Sequence, residues 1–280
     1  MASLEGTASD EAPEILATGR TDITTLYTSL SARSVDGEDA AYNEWHTLDH
    51  RPEQQRLSEL RTSCRLVSTP ACRKERAIAH ERYDETDHIT TYFFKDLSAM
   101  EGFYDLSMAL QEAGRNPEPL PTVERAVYTV RGRAAAPRIK AGSDVLPWWP
   151  VKGCYLLIER GEAPAEALTQ VEGIGGVWWA SAEPLEPPLV TRDIAGLQIT
   201  YCFLDDDPPV VARSLRPVLE QRWAATGAEP LLAAPFQSVV PLRLGPLPAL
   251  SRAAQRYLSG PVAPWGCAAA PTCWCRWSRS

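Results

Sequence analysis

Two of the chain's four histidines stand four residues apart in the run Tyr42-Asn43-Glu44-Trp45-His46-Thr47-Leu48-Asp49-His50-Arg51-Pro52-Glu53. At about 3.6 residues per turn, Tyr42, Trp45, His46, Asp49 and His50 share one helical face, which gathers two aromatic rings, two imidazoles and a carboxylate. An imidazole titrates near neutrality and can carry protons, and a carboxylate beside it fixes its tautomer and raises its basicity. His50 is therefore read as general acid or base, with Asp49 or Glu53 as its orienting partner and His46 second. Pro52 is expected to end the helix near His50, which places His50 and Glu53 at an element terminus facing a cavity. Tyr42, Trp45 and, from a later strand, Tyr92 form the pocket wall, and His88, opening that strand, faces the cavity. The substrate this suits is a compact organic acid, phenol or ketone. The same residues also fit a purely structural role, with Tyr42 and Trp45 in the core and Asp49, Arg51 and Glu53 in a surface ion network.

Other motifs carry less. His46 and His50 have the spacing of a helical zinc pair, but no glutamate follows His46 and no third ligand is evident, so no metal is expected. Gly173-Ile174-Gly175-Gly176 precedes a strand and lacks phosphate-loop spacing. No Gly-x-Ser-x-Gly is present. Asp205, Asp206 and Asp207 stand where a helix begins and suit its dipole. His80, with Arg82, Tyr83, Asp84 and Asp87, belongs to a charged loop read as solvated surface. Cys64, Cys72, Cys154 and Cys202 are spread through the body and read as reduced core thiols, whereas Cys267, Cys273 and Cys275 crowd the end without a fourth ligand at finger spacing.

These residues need elements to position them. ITTLYTSL reads as a strand and DGEDAAYNEWHTLDHRPEQ as a helix; CRLVST and HITTYFFKD are strands joined by a polar stretch. LSAMEGFYDLSMALQEAG carries Met100, Phe103, Tyr104, Met108 and Leu110 largely on one stripe, with Gly114 placed to cap it, and VERAVYTVRGR is a last strand. The order is β-α-β-β-α-β, a ferredoxin-like unit. From Cys154 the order returns: CYLLIE, the short helix EAPAEALTQVEG, GVWWASA, LQITYCFLDDDPP, the helix PVVARSLRPVLEQRWAATG and FQSVVPLRL. TYFFKD at Thr91–Asp96 echoes TYCFLD at Thr200–Asp205, each on the third strand of its unit. One such unit leaves a sheet face uncovered. The expected class is therefore α+β, with two tandem ferredoxin-like βαββαβ units packed sheet to sheet as a dimeric-type α+β barrel.

The string EWHTLDHRPEQQRL, on the first helix of such a unit, resembles the E-W-(H/Y)-x-x-x-H-x-P-E-(R/Q) signature of dimeric α/β-barrel proteins of the EthD-like and antibiotic-biosynthesis-monooxygenase-like kind. Those proteins follow the motif with Leu-Pro-Gly, where this chain has Leu57-Ser58-Glu59-Leu60. The helix EAPAEALTQVEG has no counterpart of His46 or His50, which implies at most one site of this type per chain. The resemblance implies binding of a small hydrophobic, often aromatic molecule between sheet and helices, and proton transfer in a cofactor-free oxygenase, isomerase or cyclase. Relatives that bind haem leave a second reading, with His46, His50, His80 or His88 as axial ligand, and a third is a ligand-binding or structural protein without catalysis.

The 280 residues, 44 % hydrophobic and 23 % charged, suit a globular protein. A net charge of -8 disfavours nucleic acid as a partner. No apolar run is long enough for a membrane span and Met1 to Arg20 lacks the pattern of a signal peptide, so the expected location is the cytoplasm, as monomer or homodimer, with no cofactor. The expected divisions are a disordered arm over 1–20, units over 21–133 and 151–244 with a connector over 134–150, and a disordered tail over 245–280.

Overall fold

The structure, a computed structural model, describes residues 5–116, 119–185 and 189–239. The first half contains β1 (Thr25–Ser31), β2 (Leu60–Val67), β4 (His88–Phe94) and β5 (Thr122–Ala135). The second contains β6 (Gly153–Arg160), β7 (Ile174–Glu183), β8 (Leu197–Leu204) and β9 (Glu229–Ser238). The sheet runs β2-β4-β1-β5-β7-β8-β6-β9, and β9 pairs back onto β2, so eight antiparallel strands close a barrel. Each half orders its strands second, third, first, fourth, the ferredoxin-like arrangement, and the two halves meet at β5–β7 and β9–β2. This is the dimeric-type α+β barrel, made within one chain. Closure removes the open edges that would otherwise pair with other chains.

Alternation along the strands separates two surfaces. Leu26, Leu30, Phe93, Trp178, Tyr201 and Phe236 fill the barrel interior. There Tyr201 of β8 hydrogen-bonds Thr28 at 2.8 Å and Thr91 at 2.6 Å, joining the halves. Outside the second half, Tyr155, Leu157, Cys202 and Leu204 pack under Val211, Leu215 and Leu219 of the helix Pro208–Thr226, which Gly227 ends at φ 70°. Outside the first half lie the helix α3 (Ala99–Glu112) and a helix, α1, made of three consecutive segments: α over Asp39–Trp45, π over His46–His50, and α over Arg51–Gln54.

Several expectations are corrected. Pro52 does not end the helix at His50. Its ring displaces the usual bond to the carbonyl four residues back, and the π turn takes up the mismatch so that the helix runs on to Gln54. The polar stretch after β2 contains a helical turn, Pro70–Lys74, and a two-residue strand, β3 (Ile78–Ala79), paired with β9. EAPAEALTQVEG yields only a 3-10 turn over Glu166–Gln170. In the segment read as an arm, Ser9 donates its backbone N–H to Lys140, Asp10 accepts from Ser143, and Ala12 is buried. Gly175 lies under the Trp149 ring, where a Cβ would come within 2.2 Å, so this glycine serves close packing. Cys64, Cys72, Cys154 and Cys202 are free thiols. The CWC segment and the rest of the tail from 245 lie outside the described residues.

Candidate functional site

Between α1, α3 and the outer face of the first half is a half-open cavity of about 540 Å³. Its floor comes from outward-facing positions of three strands: Tyr27 and Ser29 of β1, Thr90 and Tyr92 of β4, and Arg125 of β5. α1 contributes Tyr42, Trp45, His46 and His50; α3 contributes Phe103, Tyr104, Ser107, Met108 and Gln111. Tyr104 and Met108, on the edge of the apolar stripe, are half-exposed because they border this cavity instead of the core.

The helical face predicted from spacing forms. The centre of the Trp45 ring lies 4.8 Å from that of His50 and 5.3 Å from that of Tyr42, and the His46 and His50 rings are 5.4 Å apart. Tyr92 Oη lies 3.3 Å from His46 Nε2. Gln54 Nε2 donates to His50 Nε2 at 3.2 Å, which leaves the His50 proton on Nδ1. The Nδ1 atoms of both histidines and Gln54 Oε1 are buried without hydrogen-bond partners. Burial first, and then the nearby guanidinium of Arg65, brings His46 down to about 2. Burial likewise brings His50 down to about 4, with the Asp49 carboxylate opposing the shift and Arg115 and Arg65 adding to it. Burial raises the Tyr92 phenol above the ordinary tyrosine range. At neutral pH these groups are uncharged.

The expected carboxylate partners lie elsewhere. Asp49 and Glu53 both accept from Arg115, at 2.9 and 3.1 Å, and Glu53 also pairs with Arg56. Neither orients His50; Gln54 takes that place. His88 opens β4 as predicted but sits behind the cavity wall. Arg65 donates to its Nδ1 at 3.3 Å, so Nε2–H donates to Asp39 at 2.6 Å, and that contact ties β4 to the first turn of α1. Arg65 itself donates to Asn43 and Thr90, each at 2.8 Å, and lies 4.9 Å from the centre of the Tyr42 ring.

Sequence reasoning missed Arg65, Arg125 and Gln54. All three occupy positions that alternation or helical spacing places beside the named residues, but nothing in their types singled them out. Of the remaining candidates, Asp205 forms a two-pronged pair with Arg138 and Asp206 pairs with Lys152, while His80 accepts only a local backbone bond from Arg82. Among the described residues, no group of three or more His, Cys, Asp or Glu side chains is placed to hold a metal ion, and no helix is long and apolar enough to cross a membrane.

No family model and no curated protein matches the chain. Solved structures do resemble it. An anthrone oxidase-like protein aligns over 79 % of this chain and 92 % of its own at 10 % identity and a TM-score of 0.48. A provisionally named monooxygenase of Fusobacterium nucleatum aligns over 78 % and 92 % at 10 % identity and 0.43, and a provisionally named chlorite dismutase over 78 % and 96 % at 13 % identity and 0.44. The likeness is one of shape. At this identity and overlap it carries nothing about chemistry, and the fold rests on the strand order itself.

Proposed function

We propose that the cavity under α1 binds a compact hydrophobic or aromatic molecule and that His50, with His46 and Tyr92 beside it, handles a proton of that molecule. The observation that carries this reading is the convergence on one cavity of two uncharged imidazoles and a phenol, among lining residues that include no carboxylate. A neutral imidazole accepts a proton without first losing one; at His50 the accepting lone pair is that of Nε2, so the substrate's acidic group takes the place of the Gln54 amide there. Because burial makes His50 a weak base, the substrates it serves are those with an acidic O–H or C–H, a phenol or an activated ketone whose conjugate anion is delocalised. The guanidinium groups that add to the effect of burial on the imidazoles also favour such an anion, lowering the pKa of the bound molecule. From that anion an isomerisation, a cyclisation or a reaction with dioxygen can proceed. Tyr27, Tyr92 and Phe103, with ring centres 5.0 to 6.3 Å apart, supply an aromatic bed for a flat molecule.

The test is a thermal-shift screen of phenols, ketones and arene acids, followed by turnover assays on each stabilising compound. His50→Ala is expected to reduce turnover by about 100-fold or more, the usual contribution of a general acid–base group, with His46→Ala and Tyr92→Phe reducing it less. Full turnover in the His46→Ala, His50→Ala double variant contradicts the proposal. Binding that stabilises the protein with no turnover of any bound compound supports a ligand-binding protein instead.

A further inference from the structure

Register places four residues of the first half in a single row across the sheet. Arg65 of β2 stands opposite Thr90 of β4, Thr90 opposite Ser29 of β1, and Ser29 opposite Arg125 of β5. Residues paired across antiparallel strands point to the same face, and Thr90, Ser29 and Arg125 all line the cavity. The row is thus two arginines with two small hydroxyl residues between them. Its small side chains leave a hollow in the floor where the next row, with Tyr92 and Tyr27, presents rings.

Among the described residues, the hollow carries positive charge without a counterion on the cavity wall, where Arg125 is the one formally charged side chain. Arg65, 3 % exposed, is bonded to the uncharged partners Asn43, Thr90 and His88. Arg51, on α1, donates to Ser63 of the adjoining row and to no other described residue. Nearby, Arg115 pairs with Asp49 and Glu53, and Asp39 accepts from the uncharged His88; among the described residues, Arg51, Arg65 and Arg125 form no ion pair. Glu124, next to Arg125, faces the other side of the sheet, where it is held by Arg82 and Tyr83. Buried cations in a recess walled by low-polarity rings focus a potential that attracts negative charge.

We infer that the ligand is an aromatic oxyanion, a carboxylate or phenolate, whose charged oxygens lie over Ser29 and Thr90 against Arg125 while its ring rests on Tyr27, Tyr92 and Phe103. The planar guanidinium of Arg125 matches a planar oxyanion, and the Ser29 hydroxyl can donate to it. This inference rests on the proposed role of the cavity as a small-molecule site and assigns the class of molecule.

The experiment compares 2-naphthoate with its uncharged counterpart 2-naphthamide by titration calorimetry on the full chain at neutral pH. The acid is expected to bind about tenfold or more tightly than the amide, and its affinity to fall as salt is raised from about 0.05 to about 0.5 M while that of the amide does not. Arg125→Gln, a change to a half-buried side chain without bonds to the described residues, should remove the preference and bring the affinity of the acid down to that of the amide; Arg125→Lys should keep part of the preference. Equal binding of acid and amide overturns the inference and leaves the cavity's role standing. A preference that survives Arg125→Gln overturns it as well. Failure of both compounds to bind overturns the inference together with the reading on which it rests.

Discussion

On the proposed reading, His46 and His50 act through their neutrality. An unfolded histidine titrates near 6.5, whereas burial holds these two at about 2 and about 4, and also lowers His88 despite its bond to Asp39. Below pH 6.5 the unfolded chain therefore binds more protons than the folded one, and stability falls as pH falls. Each such histidine costs about 1.4 kcal/mol per pH unit until its folded value is reached. Urea unfolding at pH 7.5 and 5.0 is expected to show this loss, and His50→Gln to reduce it. An unchanged slope in that variant would mean that His50 is already charged in the fold. The sequence exposed the two imidazoles and their aromatic neighbours because helical spacing alone puts them together. It misassigned Asp49 and Glu53 because their partner, Arg115, lies 62 residues or more away in the chain.

Helix α1 owes its shape to the π turn over His46–His50, which brings both imidazoles to the cavity while accommodating Pro52. Deleting Leu48, an exposed residue of that turn, should restore an ordinary helical register and rotate His46 away from His50. The expected result is a protein that still melts cooperatively but binds cavity ligands at least about tenfold more weakly, as calorimetry would report. Periodicity predicted the helix but not its π turn, since a proline at this position reads equally as a stop. The strands were legible for the opposite reason: alternation and β-branched content mark each one locally. The echo between TYFFKD and TYCFLD identified the third strand of each half but not the facing of its residues. Tyr92 points outward to the cavity and Tyr201 inward to the barrel, so the two motifs are offset by one position relative to the sheet faces.

At the scale of the whole molecule, each half covers the sheet face that the other would leave exposed. Tyr201 is a buried polar tie between them, and Tyr201→Phe, which strands the Thr28 and Thr91 hydroxyls in the interior, should cost about 1–3 kcal/mol in chemical unfolding. Gly175→Ala should cost a similar amount, about 1–3 kcal/mol, because the added methyl meets the Trp149 ring packed across β7. Only the first half has a cavity with paired imidazoles on its outer face; in the second, the 3-10 turn at Glu166–Gln170 and the long helix Pro208–Thr226 pack directly on the strands. The chain combines one closed scaffold with one asymmetric site.

The central claim is that His46 and His50 look into a ligand-binding cavity. Nuclear magnetic resonance of protein carrying ring-labelled histidine tests it most directly, during titration with a stabilising aromatic compound at neutral pH. Neutral-imidazole signals are expected for both residues, moving together and saturating as ligand is added, while those of His80, on the far loop, stay in place. Saturable binding that leaves the His46 and His50 signals unmoved would contradict it.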